Sequence, residues 1–120
     1  MTVAPDIGTQ LRKGVVEFCV LGLLGREPMY GWQLSQQLTE HGMIASIGTL
    51  YPVLTRLRDR GLVSSYEQAS DSGPVRRYYR LTQAGTEQLE TFRRQWTPFT
   101  ATVADLVGEG DPDDSNTTSR

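Results

Sequence analysis

Six arginines fall between residues 56 and 80: Arg56, Arg58, Arg60, Arg76, Arg77 and Arg80, against three acids, Asp59, Glu67 and Asp71. A guanidinium is a planar fork that fits a phosphate or the edge of a guanine. Just ahead of the first three stand Ser46, Thr49 and Tyr51, small or hydroxylated groups that allow close approach to a groove. Hydroxyls that read or position, followed by cations that neutralise, suit a surface that meets nucleic acid. Read alone, residues 46–61 fit an ordinary amphipathic helix with a solvated basic end more readily.

Position follows from the apolar residues around these groups. Leu50, Leu54 and Leu57 recur at helical spacing, with Thr49, Val53, Arg56 and Arg60 on another face. Ser46 reads as an N-cap whose hydroxyl takes a backbone N–H, and Gly61 as the stop. Pro52 inside a helix removes a bond at a cost of about 3 kcal/mol, so the helix should begin between Ser46 and Thr49. Before it, Pro28 opens a helix over Tyr30 to His41, with Leu34 and Leu38 inward and Trp32, Gln33, Gln36 and Gln37 on other faces. Gly42 ends that helix, and a short turn joins the two in a helix-turn-helix. His41, the single histidine, suits the helix C-terminal dipole better than catalysis.

Residues 62–67 and 75–81 alternate weakly and read as two strands, joined by a loop over Ala69 to Pro74. Arg77 and Tyr79 share one face; Arg76, Tyr78 and Arg80 share the other. Beside a recognition helix this hairpin is a wing whose arginines reach phosphate or a narrow minor groove. A basic solvated hairpin is the plainer alternative.

Two stretches ask for helix partners. Gly14 to Leu24 carries Glu17 as its only charge, so a helix there must be covered on more than one side. After Thr82, read as a cap, Leu89, Phe92, Trp96, Phe99, Val103 and Leu106 follow at spacings 3, 4, 3, 4, 3, a heptad seam. Pro98 should kink or break that helix near Gln95 to Thr97. The aromatic stripe reads as pairing core or as the wall of a ligand pocket. Residues 1–10 lack periodicity and read as a loose arm, and Gly108 to Arg120 as a disordered acidic tail.

Composition bounds the rest. At 120 residues with 38% apolar content the chain supports one small core. The lone Cys19 excludes a disulfide framework and a cysteine zinc site within one chain, and suits a reducing cytoplasm. Neither a membrane span nor a signal peptide is legible. Net charge is −2, but residues 1–104 hold eleven basic against nine acidic groups, and the acid gathers beyond them. Eleven of the twelve basic residues are arginine. No nucleophile–base order, metal-ligand spacing or phosphate-cradling glycine loop is present, so neither an enzyme nor a cofactor or metal is expected.

The chain resembles the PadR family of winged-helix transcriptional regulators. The resemblance is carried by Pro28-Met29-Tyr30-Gly31, by Gly48-Thr49-Leu50-Tyr51-Pro52 with Leu54, Arg56, Leu57 and Gly61-Leu62-Val63, and by Gly73-Pro74, Arg76-Arg77-Tyr78-Tyr79, Leu81-Thr82 and Gly85. It spans residues 14 to about 107 and is similar to the smaller subfamily with one short C-terminal helix. It implies a mainly α fold with a β-hairpin wing: a winged helix-turn-helix domain over 11–81 and a dimerisation helix over 82–107. It implies a homodimer on a pseudo-palindromic DNA operator, usually a repressor, sometimes released by a hydrophobic or aromatic effector. By position it implies Tyr30, Gln33, Ser46, Thr49, Tyr51, Arg56, Gly73, Arg76 and Arg77 at DNA, and Phe92, Trp96 and Phe99 at an effector. Val15, Phe18, Leu89, Phe92, Trp96, Phe99, Val103 and Leu106 would form the dimer interface. Gln33 stands where an acid is common, and Pro98 and the acidic tail also depart from the pattern. The rival expectation from another class is a winged-helix protein-interaction module without DNA binding.

Overall fold

The computed structural model describes residues 7–108. Seven elements follow in order: α1 (Ile7–Leu24), β1 (Met29–Tyr30), α2 (Gly31–Glu40), α3 (Ile47–Asp59), β2 (Val63–Ser70), β3 (Gly73–Leu81) and α4 (Gln83–Val107). The chain divides into two compact units, one ending at Leu89 and one starting at Glu90. The expected arm over 1–6 and tail over 109–120 lie outside the described residues. Residues 7–10, expected in the arm, are the first turn of α1. Ile7, Leu11, Val15 and Phe18 continue one helical stripe at spacings of 4, 4 and 3, a signal masked by the polar residues between them.

In the first unit, α1, α2 and α3 enclose one core. Val20, Leu21, Leu34, Leu50 and Leu57 are completely buried, with Leu38 and Leu54 nearly so. Both helices of the helix-turn-helix end the same way. Gly42 and Gly61 take positive φ. The next N–H groups then reach back, Met43 to the Leu38 carbonyl and Leu62 to the Leu57 carbonyl. These double reverse bonds satisfy carbonyls that the helix leaves open, as glycine after the last turn allows. His41 Nδ1 lies 2.8 Å from the Gln37 carbonyl at the end of α2.

α3 starts at Ile47 with Ser46 extended before it. The Ser46 hydroxyl makes no capping bond, contrary to expectation; the Thr49 N–H instead reaches the Ser46 backbone carbonyl at 3.0 Å. Val53, expected on another face than the leucines, is buried with them and widens the apolar arc. Pro52 sits in the second turn on the exposed side, where the carbonyl of Gly48 loses its helical partner.

The sheet has three strands in the order β1-β3-β2, all antiparallel. β1 was not foreseen: two residues between a proline and a helix carry no alternation. The loop expected over 69–74 shrinks to Asp71 and Ser72, since Ser70 pairs with Gly73 after a shift in register. The Ser70 hydroxyl fastens the tip by donating to the Pro74 carbonyl at 2.9 Å.

α4 is fixed at its start by Thr82. The Thr82 hydroxyl donates to the Gly61 carbonyl at 2.6 Å and accepts the Gly85 N–H at 3.0 Å, so one side chain caps α4 and ties it behind α3. A side chain at Gly85 would run into the backbone carbonyl of Leu62. Leu89, expected at a dimer interface, is buried in its own core, with a methyl close against Gly25. It opens the heptad seam in sequence but closes the first unit in space. The helix continues through Pro98 without the expected break. One missing bond costs about 3 kcal/mol, too little to end a 25-residue helix whose proline turn faces solvent.

Candidate nucleic-acid interface

The sense of turn of α3 divides its surface into strips. With 3.6 residues per turn, Leu50, Val53, Leu54 and Leu57 define the buried arc. Opposite it lie Gly48, Pro52, Thr55 and Asp59, all exposed. Small groups thus lead the outward strip, and its only charge is the acid in the last turn. An inserted duplex meets favourable groups at the N-terminal half and repulsion at the other end.

The two edges of this strip differ. On the wing side Tyr51 and Arg58 line a cleft of about 400 Å³ with Tyr30, Gly31 and Trp32 from the β1–α2 junction and Arg76, Arg77 and Tyr79 from β3. Gly31 makes this approach available: a Cβ there would lie 3.3 Å from the Tyr51 hydroxyl. Three guanidiniums beside aromatic rings suit a sugar–phosphate backbone, which offers anionic oxygens and an apolar sugar face. Tyr79 is almost wholly buried, and burial raises its phenol above its usual pKa, against the pull of Arg77 and Arg58. It therefore stays protonated at neutral pH.

On the α1 side, Thr49 joins Arg12, Lys13 and Ile44 around a smaller concavity of about 220 Å³. Two turns and three turns further along α3, Arg56 and Arg60 both bind Glu17. The Arg56 Nε lies 3.1 Å from Glu17 Oε2 and the Arg60 Nη1 2.9 Å from Oε1. Arg56, expected to face DNA, is thus turned toward α1 by a partner 39 residues earlier in the chain.

The wing's two faces have different tasks. Tyr30 pairs with Tyr78 and Tyr78 with Tyr66, so each strand contributes one tyrosine at the same level. The Tyr66 and Tyr78 rings stack at 5.6 Å and Tyr30 tilts against Tyr78 at 5.4 Å. Arg76 lies 4.6 Å over the Tyr30 ring and Arg80 5.0 Å over the Tyr66 ring, within cation–π range. On the other face Arg77 reaches Ser65 Oγ at 3.2 Å and Glu67 at 3.4 Å. That ion pair is exposed and weak, so Arg77 can exchange it for a phosphate at little cost.

Tyr30, Tyr51, Arg76 and Arg77 therefore converge on one cleft. Gln33 instead accepts the Tyr30 backbone N–H at 3.1 Å and fixes the start of α2. Ser46 is exposed at the head of α3, and Gly73 shapes the wing tip. Sequence reasoning gave no role by position to Trp32, Arg58, Thr55 or Tyr79, although Arg58 was counted among the six arginines. The first three were findable: Arg58 follows Tyr51 by seven residues, Thr55 follows Gly48 by seven, and Trp32 is an apolar residue off the Leu34 stripe.

In the second unit Phe92 stacks on Trp96 at 5.2 Å. Trp96, Phe99, Val103, Leu106 and Val107 are exposed, a run of apolar side chains along one helix. Among the described residues there is no cluster of three or more histidines, cysteines or acids that could hold a metal, and no helix long and apolar enough to cross a membrane.

The model of the PadR-like family of transcriptional regulators matches residues 20–91. The transcriptional regulator Rv3488 of Mycobacterium tuberculosis is 38% identical over 85 residues, 71% of this chain and 78% of that protein. A PadR-like transcriptional regulator of Bacillus cereus has a similar crystal structure: TM-score 0.74 at 40% identity, covering 85% of this chain and 99% of the other. Bacillus subtilis PadR, solved in complex with operator DNA, matches with TM-score 0.58 at 25% identity, over 65% of this chain and 46% of that one.

Proposed function

Because the chain belongs to the PadR-like family of transcriptional regulators, we propose that it acts as a homodimeric repressor in the cytoplasm, binding a pseudo-palindromic operator in duplex DNA. The observation that carries this reading is the cleft beside α3, where Tyr51 and Arg58 meet Arg76 and Arg77 of the wing. The front of α3, with Ser46, Gly48, Thr49 and Thr55, enters the major groove. Tyr30, Trp32, Arg58, Arg76 and Arg77 hold the backbone on one flank. That the Bacillus subtilis relative was solved with operator DNA supports the assignment.

Exposed apolar surface supports the dimer. Ile7 and Leu11 on α1 are exposed, as are Trp96, Phe99, Val103 and Leu106 on α4, and runs of exposed apolar side chains mark interaction surfaces. A second copy covers both helices. Trp96 and Phe99 then receive a hydrophobic effector between subunits, and its binding changes the spacing of the two α3 helices. Quenching of Trp96 fluorescence by planar aromatic compounds, with Trp32 intact, reads this directly.

A mobility-shift titration tests the main reading. A duplex enriched by the protein from random sequence should be retarded at lower protein concentration than a scrambled one, with affinity falling steeply as salt rises. A dimer that retards no duplex even at low salt would transfer the surface to a protein partner.

A further inference from the structure

We infer that Glu17 determines how sharply the protein separates its operator from other DNA, by withholding the Arg56 and Arg60 guanidiniums from the phosphates. The inference rests on the DNA-binding reading above. It starts from an asymmetry on α3. Arg56 and Arg60 lie one turn apart on the side toward α1, and both would ordinarily add to a duplex-binding surface. Instead one carboxylate takes both, one oxygen each.

The arrangement favours the paired state for a physical reason. The Glu17 side chain is only 22% exposed, whereas Arg56 and Arg60 are 54% and 51% exposed. Swinging both arginines out to a phosphate would leave a largely covered carboxylate with no partner, which opposes the exchange. The exposed Arg77–Glu67 pair has no such penalty, because Glu67 is 63% exposed and water replaces the lost partner. Glu17 therefore withholds the sequence-independent attraction of Arg56 and Arg60 on one flank of the helix, while Arg58, Arg76 and Arg77 keep theirs on the other. Since phosphate attraction is the same for every duplex, less of it leaves base contacts a larger share of the discrimination.

The test compares the wild type, Glu17→Gln, the Arg56→Gln/Arg60→Gln pair and the triple variant. Each is titrated on the selected duplex and on an unrelated one across a series of salt concentrations. In Glu17→Gln, affinity for the unrelated duplex should rise about tenfold at low salt, and the salt slope should steepen by about 0.9 for each arginine released. Affinity for the selected duplex should change by less than about threefold, so the ratio falls. The arginine pair variant should keep the wild-type slope, because its arginines are already withheld. The triple variant should return to that slope. A flatter slope in the arginine pair variant would overturn the inference by making Arg56 and Arg60 direct contacts. So would Glu17→Gln weakening both duplexes equally, as a simple brace would do. If the wild type itself binds no duplex, the parent reading falls instead, a result distinct from either.

Discussion

Arg58 and Arg56 sit two residues apart on one helix, yet their surroundings differ in kind. Arg58 opens onto a cleft shared with Arg76 and Arg77. Arg56 is tied with Arg60 to a carboxylate on α1. Residue type and local spacing are nearly the same; what differs is the element packed alongside. A strand that presents more arginines adds to the first flank, and a helix that presents Glu17 ties up the two arginines of α3 on the second. Counting basic residues on a recognition helix therefore overstates the charge it offers to DNA.

Four sets of substitutions or conditions probe this contrast. The largest effect should come from Gly85→Ala, which disturbs both flanks by pressing on the Leu62 carbonyl at the turn behind α3. We expect a loss of about 3 kcal/mol of stability from forced overpacking, read as a lower midpoint in urea unfolding. Next, Arg76→Ala and Arg77→Ala on the cationic flank should weaken every duplex and flatten the salt slope by about 1 each, measured by mobility shift. On the outward strip, Thr55→Ala should cost about 1 kcal/mol on the selected duplex and little on a scrambled one, eroding preference rather than affinity. The smallest effect concerns pH. Burial raises both the Cys19 thiol and the Tyr79 phenol above their usual values. The folded chain thus holds these protons longer than the unfolded chain does. Stability should be full below the unfolded thiol value of about 8.5 and decline as pH rises through the raised folded values. Thermal midpoints at pH 8 and pH 10.5 check this, with the decline smaller in Cys19→Ser.

The elements that position the interface were legible because their signals are local. Glycine at 42 and 61, the leucine stripe of α3 and the Thr82 cap each act within a few residues. The convergence of Tyr30, Tyr51, Arg76 and Arg77 could be anticipated from the resemblance, though not their shared cleft. What escaped was set by partners far away in sequence. Glu17 meets Arg56 across 39 residues. Leu89 obeys a heptad spacing, yet it fills the first unit because Gly25 leaves room for it. β1 exists only because β3 offers it backbone bonds. Pro98 looked decisive because local rules count the bond it removes and not the rest of the helix it sits in.

The row of tyrosines across the sheet has a further effect on how the wing meets a partner. A free arginine explores many rotamers and loses about 0.5–1.5 kcal/mol of freedom when it is immobilised on binding. Arg76 already rests on the Tyr30 ring, and that ring is braced by Tyr78 and in turn by Tyr66. Much of this loss is incurred when the chain folds, before any duplex arrives. Replacing Tyr66, which lies on the far strand and lines no part of the cleft, should therefore slow the capture of DNA by leaving the arginine's bed less firm.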